Sequence, residues 1–411
     1  MIDRRAFFQT AVSAAVGSGL SRRIAPLGKW WGEGIQSSGE EMDPSGVHSS
    51  GMYPSELHPS EMHPWGEGGY PSGAQQALKA RAAAKGIIFG SAGAKGPLSQ
   101  DAAYAQTIAR ECAILTPEAE LKWGTLRPSP TQFNFGPADW LLQFTQSNGM
   151  QFRGHTLVFW QSIPGWFNGY VTPGNASQVM QNHIATVCGH YAGQLQSWDV
   201  VNEGINVTDG QPGGLRNSVW LQLLGPGYIA QAFQMAAQAD PKAMLVYNDF
   251  GFEYATPDQE ARRSAVLKLL TQLKSANVPV QALGLQSHLF AGMTAQFKPS
   301  VYQAFLKEVS DMGLKIMITE LDVQDRGLPG DPAARDQAVA DIYSKFLSAA
   351  LDNKSVIVVE TWGISDKYSW LNQHAPRPDG LPVRVLPLDG GLQPKPVYDA
   401  IAKAFDAAPS R

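Results

Sequence analysis

From residue 74 onward the chain repeats one pattern: a short, nearly continuous apolar run, then a longer stretch with hydrophobic residues three and four apart. The apolar runs lie near 87–92, 112–117, 152–159, 195–202, 244–249, 282–288, 315–322 and 356–362. Their length and β-branched content predict strands, and the lack of polar alternation predicts strands covered on both faces, as in a parallel sheet. Helical spacing follows over 75–84, 137–147, 179–191, 228–239, 257–275, 301–312, 331–351 and 396–407. Eight strands alternating with helices in one unbroken stretch predict an α/β fold closed as a single (β/α)8 TIM barrel spanning 74–408. No glycine-rich phosphate-binding motif follows any of the strands, so an open nucleotide-binding sheet is not indicated.

The first 73 residues have a different character. Arg4-Arg5 with Phe7 and Phe8, followed by the weakly apolar run Ala11 to Leu20, reads as a twin-arginine-type signal segment over 1–25 and predicts export to the periplasm or medium. Residues 26–73 are rich in Gly, Ser, Pro, His and Glu, with near-repeats at Met42-Asp43-Pro44-Ser45, Met52-Tyr53-Pro54-Ser55 and Met62-His63-Pro64. So little apolar surface cannot offset the entropy of ordering the chain, and the segment reads as a disordered linker. His48, His58 and His63 lie in it at wide spacing and read as solvated linker histidines, with a metal tract as the alternative.

The chemistry collects where the apolar runs end. Trp198-Asp199-Val200-Val201-Asn202-Glu203 and Ile316-Met317-Ile318-Thr319-Glu320-Leu321-Asp322 each run from a buried strand into a glutamate. Catalytic groups in a parallel barrel sit at such carboxyl ends. Two carboxyl groups held on separate strands are what cleavage of a glycosidic bond needs: one protonates the leaving oxygen and the other meets the developing positive charge at the anomeric carbon. Glu118, Lys122, His155, Asn248, Asp249, Gln286 and His288 add polar groups at other strand ends, and Trp160, Trp166, Trp362 and Trp370 add indole faces. Indoles stack on the apolar faces of sugar rings while amides and imidazoles bond hydroxyls, so the inventory suits a carbohydrate. Trp198, deep in its strand, reads as core.

A net charge of −4 and a pI near 6.1 give no reason to expect a nucleic-acid or membrane partner, and a neutral polysaccharide is compatible with them. The two cysteines, Cys112 and Cys188, lie in no metal-binding spacing and read as buried thiols, with one disulfide left open by the export signal. No metal or organic cofactor is indicated, and the chain reads as a monomer. Glu360 stands out: it shares strand parity with Trp362 and so points into the barrel, where an unpaired carboxylate would be costly. Arg153 is the candidate partner, and the two read as a structural pair.

The segments Thr116 to Trp123, Arg153 to Val158, Trp198 to Glu203, Tyr247 to Asp249, Gln286 to Leu289, Ile318 to Asp322, Thr361 to Gly363 and Asp366 to Trp370 occur in order, and Gln393 to Tyr398 closes the series. Together they resemble the family 10 glycoside hydrolases, the retaining endo-β-1,4-xylanases, from about Ala74 to Phe405. The resemblance implies Glu203 as general acid/base and Glu320 as nucleophile of a reaction passing through a covalent glycosyl-enzyme. It also implies His288 and Asp322 as support for the nucleophile and Asn202 as a grip on the 2-hydroxyl beside the scissile bond. Lys122, His155, Gln286 and His288 would line the same subsite, Trp362 and Trp370 would wall it, and Glu118 would meet a more distal sugar.

Two departures concern the second sugar on the non-reducing side of the cut. Ala119 stands where the family usually has Asn, and Phe159-Trp160-Gln161-Ser162 stands where it usually has Trp-His-Ser-Gln. A one-residue bulge would let Trp160 and Gln161 stand in for the family's Trp and Gln, an arrangement that the ungapped spacing from His155 to Pro164 does not favour. Three readings follow: cleavage of internal β-1,4 bonds of xylan, the same chemistry on another or a decorated β-glycan, or a non-catalytic glycan-binding barrel.

Overall fold

The structure is a computed structural model and describes residues 76–411; the signal segment over 1–25 and the linker over 26–73 lie outside the described residues. Nine strands are formed: β1 Ile88–Gly93, β2 Ile114–Pro117, β3 Gln151–Val158, β4 Ser197–Asn202, β5 Met244–Asp249, β6 Ala282–Leu285, β7 His288–Phe290, β8 Lys315–Gln324 and β9 Val356–Thr361. All pairings between these nine strands are parallel, and the ring closes through β1–β9, β8–β9 and β6–β8. Eight strands make the barrel, and β7 extends it by pairing with β8 alone. The run at 282–288 expected as one strand is thus two. Ser287 takes a φ of 60°, which breaks the pleat and swings His288 out of line with β6 to face Asp322.

The helices begin where proline and capping side chains predict. Pro257, Pro299, Pro332 and Pro396 each occupy the first helical position, where a missing N–H costs nothing. Thr256 and Asp331 accept from the N–H groups of Gln259 and Ala334, satisfying donors that the helix cannot. The last helix, Pro396–Ala407, packs on Pro332–Leu351 and on Leu78–Ala83, and Phe405 meets Phe89 of β1 at 5.6 Å. Chain end and barrel start are thereby joined, with the Arg411 N–H donating to the Lys85 carbonyl at 3.0 Å.

Apolar side chains fill three regions. The larger core lies between strands and helices, a small one of Ile114, Val246, Ala282, Met317 and Val358 plugs the barrel interior, and another small one of Leu371, Ala375, Val383, Val385 and Leu386 gathers in the segment after β9. Above that plug, toward the carboxyl ends, the interior turns polar. The free thiols Cys112 and Cys188 are both buried in the larger core.

Strict alternation along a strand would put Trp198 on the same face as Asn202, and the structure departs from it. β3, β4 and β8 each carry one residue more than the strand beside them: His155 to Val158 runs alongside Asp199 to Val201, Asp199 to Val201 alongside Val246 to Tyr247, and Ile318 to Leu321 alongside Val359 to Thr361. Each extra residue reverses the parity beyond it. Asp199 therefore faces inward with Arg153 and His155, Trp198 faces outward into the core, and Asn202 and Glu320 still reach the site.

Trp198 is completely buried and lies flat against the backbone of Gly154, where an added Cβ would sit 2.0 Å from the indole. No side chain fits there without moving a strand. Gly154→Ala is expected to lower stability by about 2 kcal/mol or more, the upper part of the overpacking range, in urea unfolding followed by tryptophan fluorescence; an unchanged midpoint would show that β3 and β4 can part freely.

Candidate active site

At the end of β4 the backbone turns through Glu203 with a φ of 56°, a conformation that is costly for a residue with a side chain and persists where surroundings enforce it. Here the enforcing contacts are explicit. The Glu203 N–H donates to the Asn248 carbonyl at 2.8 Å, and its carbonyl accepts from Nε of Arg216 at 2.7 Å. Its carboxyl group is met on both oxygens: Oε1 by Gln286 Nε2 at 3.1 Å and Asn202 Nδ2 at 3.4 Å, and Oε2 by Trp160 Nε1 at 2.7 Å. The Arg216 guanidinium lies 3.6 Å from Oε2 and 4.5 Å from the Trp160 ring centroid, so indole and cation brace each other and the carboxyl group together.

Glu320 faces this arrangement from β8. Its Oε1 accepts from Asn248 Nδ2 at 2.8 Å and its Oε2 lies 3.2 Å from His288 Nε2. His288 Nδ1 in turn meets Asp322 Oδ1 at 3.0 Å, and Asp322 Oδ2 accepts from Trp370 Nε1 at 2.8 Å. Burial disfavours a charged imidazole, but the two flanking carboxylates outweigh it and raise His288 to about 10. Burial likewise disfavours the Glu320 carboxylate, yet the His288 hydrogen bond, with the positive charges of His155, His288 and Lys122, holds it down to about 2. Glu320 is thus kept ionised within a buried site.

Asn248 joins the two halves. Its Nδ2 donates to Asn202 Oδ1 at 2.8 Å as well as to Glu320, and its Oδ1 accepts from Thr319 Oγ1 at 2.7 Å. The residues expected from the sequence mostly come together around this amide. Asn202, Glu203, Gln286, His288, Glu320, Asp322 and Trp370 form one hydrogen-bonded set. Trp362 lies edge-on between His155, at 5.4 Å, and His288, at 6.4 Å, with the Lys122 ammonium 5.7 Å from its ring. Glu118 stands apart from the set: largely desolvated beside Glu120, it is pushed up to about 7 against the pull of Lys122.

Some members were not legible in the sequence. Arg216 lies in an irregular loop with no local signal, and Asn248 was visible as a strand-end amide but not as the link between the glutamates. Trp160 corrects the ungapped expectation. With the extra residue in β3, its indole reaches Glu203, while Gln161 is exposed and Ser162 packs against Gly124. Among the described residues, no group of three or more His, Cys, Asp or Glu is placed to hold a metal ion, and no helix is long and apolar enough to cross a membrane.

Two glutamates on separate strand ends of a parallel barrel, one held ionised and the other gripped by side-chain donors, define a site of the glycoside-hydrolase class. The sequence comparisons agree, since the family model described as glycosyl hydrolase family 10 matches residues 77–404. The chain belongs to that family. It is similar to endo-1,4-beta-xylanase B of Thermotoga neapolitana, 33% identical over 309 residues that cover 74% of this chain and 83% of that protein. Endo-1,4-beta-xylanase A of Phanerodontia chrysosporium is 35% identical over 332 residues, 80% of this chain and 77% of that one. Among solved structures, xylanase 10B from Thermotoga petrophila in complex with xylobiose superposes with a TM-score of 0.74 at 33% identity, covering 82% of this chain and 99% of that one.

Asn248 depends on the absence of a side chain at Gly284, where a Cβ would fall 2.2 Å from its Oδ1. Gly284→Ala is expected to displace the amide and lower turnover of glycoside substrates by about tenfold or more, the scale of effect of a small misplacement at a catalytic group. Steady-state kinetics on protein with unchanged circular dichroism would check this; wild-type turnover would mean that the amide does not organise the site.

Proposed function

We propose that the protein is an endo-acting, retaining β-1,4-xylanase in which Glu320 is the nucleophile and Glu203 the general acid/base. The observation that carries this reading is the charge assignment at Glu320. A buried carboxylate that is paired with a cationic imidazole, itself anchored by Asp322, is available to attack at any pH above the strongly acidic range. The relatives named as xylanases, and the resemblance of the motifs around both glutamates, supply the polymer.

In the first half of the reaction, Glu320 forms a bond to the anomeric carbon as the glycosidic C–O bond breaks, and Glu203 gives its proton to the departing oxygen. In the second half, Glu203, now ionised, takes a proton from water as that water attacks the anomeric carbon and releases Glu320. The bond between Asn202 and Asn248 fixes the amide assigned to the sugar 2-hydroxyl, so that it is already oriented when the oxocarbenium-like charge develops. Trp362 and Trp370 wall the ring, and Lys122, His155 and Gln286 meet its hydroxyls. Ala119 is exposed and presents no amide to the second sugar, which favours a subsite that is weaker or admits side groups.

The roles differ in what their loss should do. Glu320→Ala is expected to abolish turnover of every substrate, whereas Glu203→Ala should spare aryl xylosides whose leaving group needs no proton while losing xylan cleavage. Equal losses for both variants on activated and unactivated substrates would contradict the assignment. His288→Gln removes the cation that holds Glu320 ionised, so the Glu320 carboxyl should rise and the acid limb of kcat/KM should move to higher pH by about one unit or more. A limb that stays in place would assign the low carboxyl to other groups.

A further inference from the structure

Beneath the site lies a row of charged groups that the reaction does not use. Arg153 on β3, Asp199 on β4 and Glu360 on β9 are each 0% exposed. One guanidinium serves both carboxyl groups: Nη2 of Arg153 bonds Asp199 Oδ1, while Nη1 lies 3.5 Å from Glu360 Oε2. Glu360 Oε1 also accepts from Thr116 Oγ1 on β2 at 2.8 Å. The far oxygen of Asp199, Oδ2, meets His155 Nδ1 at 2.8 Å, and His155 abuts Trp362. The row runs from the barrel interior to a sugar-binding side chain.

We propose that Glu360 is a positioning residue for sugar binding, acting on His155 through Arg153 and Asp199. The inference rests on the placement of His155 in the sugar site proposed above. With both carboxyl groups ionised, Arg153 is divided between them, and Asp199 is left to draw on the His155 imidazole for the rest of its compensation. When Glu360 takes up a proton, Arg153 belongs to Asp199 alone, and the hold on His155 slackens. The groups facing Glu360 set where that exchange occurs. Burial favours the neutral acid, Arg153 and Thr116 favour the carboxylate, and Asp199 and Glu320 oppose it, placing Glu360 at about 7. The Cys112 thiol, just before β2, is a further titratable neighbour and is held protonated by burial. The neighbours of His155 are Asp199, Trp362 and the Glu320 carboxylate. The exchange therefore falls in the neutral range, well away from the ionisation of Glu320.

Glu360→Gln keeps the shape and fixes the neutral state. In the wild-type protein, KM for xylo-oligosaccharides should rise severalfold as pH falls from about 8 to about 6, with a smaller change in kcat. In the Gln variant, KM should stay throughout at the wild-type low-pH value. The same step should appear without substrate in the imidazole 15N resonances of His155, assigned by their loss in His155→Gln, and should vanish in Glu360→Gln. Should Glu360→Gln fail to fold, Thr116→Val removes only the hydroxyl that supports the carboxylate and should move the step to higher pH. A wild-type protein with no step, or a step unmoved in these variants, would overturn the inference. The resonance reading does not depend on turnover, so it separates this failure from a failure of the assigned roles of Glu203 and Glu320.

Discussion

The Glu320 carboxylate is held charged while nearly all water is excluded from it, and desolvation alone would protonate it. The pairing of Glu320 with the His288 imidazole answers that constraint, but a buried imidazolium is unstable unless it is compensated in turn. Asp322 is therefore placed on the same strand as Glu320, and Trp370 turns its N–H onto the far oxygen of Asp322. The separate strand β7 exists because His288 has to leave the line of β6 to stand between these two carboxylates. The positive φ at Ser287 is the local cost of that placement.

The second glutamate is held differently. Glu203 is only partly buried, and neutral donors meet both of its oxygens, with Arg216 at the edge of hydrogen-bonding reach. One group is locked into its charged form by a cation, and the other sits among amides and an indole that define its position. Because Asn248 bonds both Asn202 and Glu320, the two halves of the site cannot move independently. Gly284 and Gly154 contribute to the same rigidity by lacking a side chain, the first making room for Asn248 and the second for Trp198.

The polar row of Arg153, Asp199 and Glu360 shows how the barrel divides along its axis. Ile114, Val246, Ala282, Met317 and Val358 close one end as an apolar plug, and the next inward-facing positions on β2, β5, β8 and β9 are Thr116, Asn248, Thr319 and Glu360. A charge at that depth survives only inside a closed set of partners. Members of such a set respond together, so Glu360, two positions before Trp362, is tied to His155 through Arg153 and Asp199.

The sequence by itself determined the architecture and most of the chemistry. Eight uninterrupted apolar runs between amphipathic stretches can bury their surfaces only as a doubly covered parallel sheet, and prolines at the helix starts mark where each crossover begins. Both glutamates and the pairing of Arg153 with Glu360 were legible because strand ends and strand parity are local properties, whereas the His288–Asp322 pair was legible only through the family resemblance. The extra residues in β3, β4 and β8 were decided only by tertiary structure. They reverse parity without any mark in composition, and they explain why Asp199 rather than Trp198 faces inward and why Trp160 reaches Glu203. The roles of Arg216 and Asn248 likewise come from chain segments brought together across the barrel, where hydrogen-bond geometry and not sequence spacing selects the partner.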